Sequence, residues 1–167
     1  MKVTSAEANK VLRGLEEKIG VLLEKEGKSS VFNAAVGEDP EMLRPAYDFA
    51  AVQEELEALR ARVREVRHAI NVFNTTHELP GFPGLTVDRA LVLLPQLNQD
   101  KARYRGMASR LPRERVESFA SRGTIIDYQI TNYSTEEAQA AYERTAEKLS
   151  AVQLALDAVN SSETFEI

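Results

Sequence analysis

Glu65-Val66-Arg67-His68 carries the one Glu-x-x-His spacing in the chain, and on a helix that spacing turns a carboxylate and an imidazole toward the same side. Carboxylate-bridged di-metal sites in helical bundles need two such motifs and two further carboxylates, all facing the core. Only one copy is present, and the apolar register around it puts Val63 and Val66 inward, so Glu65 and His68 face out. His77-Glu78 lacks the second His of a helical zinc site. With two histidines and no cysteine in 167 residues, thiolate chemistry, disulfides and an assembled Ser-His-Asp arrangement are all excluded, and no Gly-x-Ser-x-Gly elbow occurs. Pro80-Gly81-Phe82-Pro83-Gly84 has neither the Gly-Lys-Ser/Thr ending of a P-loop nor the three glycines of a dinucleotide loop, so it reads as a turn. The expectation is a non-enzyme with no catalytic, metal or cofactor residue.

Charge gives a sharper signal. The chain carries a formal net charge of −5, which does not suit a dedicated nucleic-acid binder. Yet Lys101, Arg103, Arg105, Arg110, Arg113, Arg115 and Arg122 crowd residues 101–122. Arg103, Arg110, Arg113 and Arg115 are the candidates for contact with an anionic partner such as nucleic acid. The competing reading is a solvated face neutralised by Glu114, Glu117 and neighbouring helices. Aromatic interleaving of the kind that stacks single strands is not evident. Asn71, Asn74 and Asn160 sit beside apolar seams near helix ends, where amides can fix register or close helix termini.

The elements that must position these groups are helices. Phe49, Val52, Leu56, Leu59, Val63, Val66, Ile70 and Phe73 recur at alternating intervals of three and four, a heptad seam over residues 47–74. Thr4-Ser5-Ala6-Glu7 has the capping-box form and opens a helix over 5–26 with Ala8, Leu12, Leu15, Ile19 and Leu22 on one face and Gly27 as its C-terminal cap. Pro45 suits the start of the second helix. Thr86 caps a third helix over 87–111, whose seam runs Val87, Ala90, Leu94, Leu97, Tyr104, Ala108 and Leu111, with Lys101 at one seam position and a kink expected near Pro95. Ser134-Thr135-Glu136-Glu137 opens a fourth helix over 135–160, with Ala138, Tyr142, Thr145, Leu149, Val152, Leu156 and Val159 on its seam. Residues 31–36 and 125–131 read as short strands, with Tyr128 the buried member of its pair with Asp127, and a short helix is expected around Arg113 to Ala120.

Four seamed helices predict an all-α class: one domain over 1–167, an elongated antiparallel four-helix bundle or paired coiled-coil hairpins. The strands 31–36 and 125–131 are expected to pair as a two-stranded ribbon at one pole. Hydrophobic content of 43% and charged content of 28% fit a folded soluble chain. Met1-Lys2-Val3 leads into polar sequence, and no apolar run is long enough for a membrane span, which predicts a cytoplasmic address. Apolar residues off the seams, among them Val11, Leu23, Leu91, Val92 and Leu93, suggest a second buried face supplied by a homo-oligomer or protein partner.

Ile70-Asn71 with Asn74, Gly84-Leu85-Thr86 with Ala90-Leu91, Ile126-Asp127-Tyr128, and Leu156-Asp157 with Asn160 together resemble a septicolysin-like family of small helical bacterial proteins. Ser161 stands where that family has Trp, and Leu93-Leu94 where an Arg-Asp pair is expected. The resemblance implies a coiled-coil-like helical fold with a small β element and carries over no catalytic residue. The expected function is thus a non-enzymatic interaction or scaffold protein that self-associates or binds a protein partner. The alternative is an anionic-polymer binder through 101–122. A membrane-active toxin ranks third, because narrow heptad seams suit helix partners better than lipid.

Overall fold

The computed structural model describes residues 1–116 and 127–167. They are mainly helical: β1 (Lys2–Thr4), α1 (Ser5–Ser29), α2 (Pro40–Leu43), α3 (Phe49–Thr76), α4 (Val87–Ala108), β2 (Arg113–Val116), β3 (Asp127–Ile130), α5 (Thr135–Ser162) and β4 (Thr164–Glu166). They group into two compact units, Met1–Thr76 with Ala158–Ile167, and His77–Asp157. None of the described helices is long and apolar enough to cross a membrane.

In the first unit, α1 and α3 pack as an antiparallel pair. The Thr4 hydroxyl accepts from the Glu7 N–H at 3.3 Å while the Thr4 N–H donates to the Glu7 carboxylate at 2.9 Å, the reciprocal capping box the sequence predicts. Val3, Ala8, Val66 and Ile70 form a buried cluster, walled by Val11, Leu12, Leu15, Phe165 and Ile167. At the other end of the pair, the Glu26 carboxylate accepts from the Tyr47 hydroxyl at 2.7 Å and from Gln53 Nε2 at 2.9 Å. That hydrogen bond holds the Tyr47 hydroxyl above its ordinary pKa, because losing the proton would place two negative charges together.

Several boundaries differ from expectation. Helix α1 runs through Gly27 to Ser29, and Ser30 closes it by donating its N–H to the Glu26 carbonyl at 2.8 Å. Helix α3 starts at Phe49 because the Asp48 carboxylate accepts from the Ala51 N–H at 3.1 Å, a cap that Pro45 cannot provide. Residues 31–36 form no strand: Val31 and Val36 are exposed, so extending them buries nothing. β1 instead pairs antiparallel with β4, Val3 opposite Phe165, and the Phe165 ring stacks on Phe73 at 4.6 Å. The Met1 ammonium donates to the Ile167 carbonyl at 2.9 Å, and the Ile167 N–H returns to Met1 at 3.0 Å.

The second unit opens with the expected Pro-Gly turn, where Gly81 and Gly84 take the left-handed backbone at φ 78° and 77° that a side chain would strain. The Leu79 N–H donates to the Leu85 carbonyl at 2.9 Å, and Leu79 is buried. Thr86 caps α4, accepting from the Arg89 N–H at 3.4 Å. Pro95 lies inside one continuous helix that ends at Ala108, short of the expected Leu111. In α5 the predicted seam is the buried one: Ala138, Leu149, Val152, Leu156 and Val159 are all covered.

Candidate anion-binding interface

The ribbon expected from 31–36 with 125–131 forms inside a single connection, between α4 and α5. Arg113 stands opposite Ile130, Glu114 opposite Gln129, Arg115 opposite Tyr128, and Val116 opposite Asp127. Closing a hairpin whose paired ends, Val116 and Asp127, lie eleven residues apart costs about 2 kcal/mol less loop-closure entropy than pairing segments about ninety residues apart, which favours the local pairing. The helix expected around Arg113 to Ala120 is replaced at its start by β2, and its remainder lies outside the described residues, as do Arg122 and the first residues of the strand expected at 125–131.

Side chains directly opposite each other project from the same face of a ribbon. One face therefore carries Arg113, Arg115, Tyr128 and Ile130, while Glu114, Asp127 and Gln129 take the other. The Arg113 guanidinium lies 3.6 Å from the Tyr128 ring centroid, a cation–π stack. Tyr128 is 43% exposed, so it is not the buried residue the sequence suggests; Asp127 is exposed as well, and Ile130 is 69% exposed. Strand β3 is exposed along its whole length, because among the described residues no helix underlies it.

The other candidates separate. Arg103 pairs with Asp100 at 3.0 Å and lies 4.5 Å over the Tyr104 ring, so its charge is already met. Arg110 lines a small hollow with Leu111, Glu114, Gln129, Ile130 and Thr131. Among the described residues, none of Lys101, Arg105, Arg110, Arg113 and Arg115 has a carboxylate within 4.0 Å; the ion pairs lie elsewhere, apart from that of Arg103. Over residues 101–116 six cations face one acid, Glu114. Proximity in sequence to Glu114 does not neutralise the arginines, since strand alternation sends Glu114 to the opposite face.

The amide candidates divide similarly. Asn71 is exposed, and its carbonyl accepts from the Thr75 hydroxyl at 2.9 Å. Asn74 and Asn160 are half-buried, and the Asn74 Oδ1 is a buried acceptor without a donor among the described residues. Glu65 and His68 are exposed on α3, Glu65 accepting from Arg62 at 2.9 Å, as the seam register requires. Among the described residues no cluster of three or more His, Asp or Glu side chains could hold a metal ion.

Sequence reasoning missed Tyr128 and Ile130 as partners of Arg113 and Arg115. The signal was there: Arg113-x-Arg115 and Tyr128-x-Ile130 have the two-residue period of strands, but Arg and Glu also favour helices.

No family model and no curated protein matches the chain. A solved structure described as a functionally unknown conserved protein from Corynebacterium diphtheriae is similar over 99% of this chain and 100% of its own, with a TM-score of 0.57 at 16% identity. At that identity the likeness is one of fold.

Proposed function

We propose that this is a non-enzymatic, cytoplasmic helical interaction protein that self-associates through the end of the α1–α3 pair. The observation that carries the reading is an uncovered apolar stripe within the first unit. Exposed apolar side chains concentrate where α1 ends and α3 begins: Leu23, Val31, Met42 at 84%, Leu43, and Phe49 at 65%. Phe49 occupies a seam position, so the stripe that α1 covers farther along α3 continues uncovered at this end. A second copy presenting the same end would cover it. The likeness to the septicolysin-like family supports this only as a helical layout.

Light scattering and sedimentation should show a mass above 18.6 kDa at tens of micromolar. Met42→Glu with Phe49→Glu should shift the dissociation constant upward by about tenfold or more. A strict monomer throughout the micromolar range defeats the reading.

A second reading, contact with single-stranded nucleic acid, is favoured by the ribbon register, which puts two arginines, a tyrosine and an isoleucine on one face and the acids on the other. Arginine and aromatic planes stack bases, and cations meet phosphates. Anisotropy with a labelled oligonucleotide should show affinity falling with salt, and Arg113→Glu with Arg115→Glu should weaken it by about tenfold or more at low salt. Binding that ignores salt and these changes rules the ribbon out.

A further inference from the structure

Lys101 is a cation at a seam position of α4. It is half-buried, and its neighbour Asp100 pairs with Arg103 instead. Among the described residues no carboxylate lies within 4.0 Å of Lys101, so its ammonium is available to an anion. Arg105 follows one helical turn later on the same side, equally without a carboxylate. The two line a groove of about 670 Å³ with Asn98, Ala102, Gly106 and Ser109 of α4 and with Tyr142 of α5.

The lining is chemically specific. Asn98 Nδ2 donates one N–H to the Leu94 carbonyl at 3.0 Å, and the Ser109 hydroxyl spends its donor on the Gly106 carbonyl at 3.0 Å. Lys101, Arg105 and the Tyr142 hydroxyl keep theirs. A Cβ added at Gly106 would meet no atom within 4 Å, so the groove floor is open there. Ala102 and the half-buried Tyr142 ring give an apolar wall. A groove of this size with a small number of convergent polar groups suits a small molecule.

We propose that this groove binds a small phosphorylated compound. Its phosphate would sit between Lys101 and Arg105, with its apolar or aromatic part against Tyr142 and Ala102. Phosphate is favoured over carboxylate because it spreads charge over three oxygens, enough to engage a point-charge ammonium and a forked guanidinium together. This site shares no residue with the self-association surface or the ribbon face, and its fate is independent of theirs.

Isothermal titration with phenyl phosphate tests it, using inorganic phosphate, benzoate and phenol as comparisons. Phenyl phosphate should saturate one site per chain, with inorganic phosphate and benzoate each at least about tenfold weaker and phenol silent. Lys101→Met, which keeps side-chain length and helix propensity, should abolish binding. Arg105→Gln should weaken binding about tenfold. Gly106→Leu, which leaves both cations in place and fills the floor, should abolish binding. Phenyl phosphate failing to saturate by about 10 mM, benzoate binding as tightly, or Lys101→Met or Gly106→Leu retaining affinity each overturns the proposal. The first result would mean that Lys101 merely extends its ammonium to water along a buried stem.

Discussion

Val66→Asp is expected to leave the first unit unfolded at 25 °C, whereas Val66→Ala should cost about 1–3 kcal/mol by lost transfer energy and cavity formation. Val66 is 0% exposed and lies against Val3, Ala8 and Ile70, with no polar group of the cluster offered to a carboxylate. An aspartate there must either ionise in an apolar surround or take up a proton and still lack a hydrogen-bond partner, and each route costs several kcal/mol. Whole-domain stabilities are about 5–15 kcal/mol, so that is a large share. Glu65→Ala, one residue away on the exposed side, should change stability by less than about 0.5 kcal/mol. Urea unfolding followed by circular dichroism separates the three. If Val66→Ala also falls below about 0.5 kcal/mol, the seam register of α3 is wrong.

The second large effect is expected at Phe165. Its ring stacks on Phe73 and it stands opposite Val3 in the β1–β4 pair, so one side chain joins the tail, the first strand and the end of α3. Phe165→Ala should cost about 2–4 kcal/mol, below the full Phe→Ala range because the ring is only half-buried. The loss should be local in its first signature. A three-residue strand has no stability of its own, so the amides of Lys2–Thr4 should exchange with solvent much faster in the variant while those in the middle of α5 keep their protection. Phe73→Ala should remove much of the same interaction, making the double variant less destabilised than the two single losses added. Strict additivity would mean the rings contribute separately and the stack is incidental.

Local signals were legible and distant pairings were not. The capping box at Thr4 and Glu7, the cap at Thr86 and the seams of α3 and α5 depend on residues three to seven apart, and each lies where periodicity puts it. The β1–β4 pair joins residues 160 or more apart through strands of three residues, too short for any two-residue alternation to stand out. Val31 to Val36 has β-branched and apolar residues but no partner to receive them, and strand propensity without a surface to pack on does not make a strand. At the candidate site, the excess of arginine was plain from composition. Its grouping was not, because whether Arg113 and Glu114 neutralise each other depends on helix against strand, and the segment has residues that suit both. Lys101 was visible as a cation on a seam, yet only three-dimensional placement tells that Asp100 serves Arg103 and leaves Lys101 unmet.

The β1–β4 pair also fixes when the first unit can be completed. During synthesis residues 1–76 emerge early, but Phe165 and Ile167, which wall the same cluster as Val3 and Ala8, follow about ninety residues later. At about 5–20 residues per second the apolar faces of α1 and α3 wait several seconds for their missing wall. A folding order set by the ribosome, first part first, is closed to this unit. The nascent chain must hold Val3, Phe73 and their neighbours partly uncovered until Phe165 and Ile167 arrive.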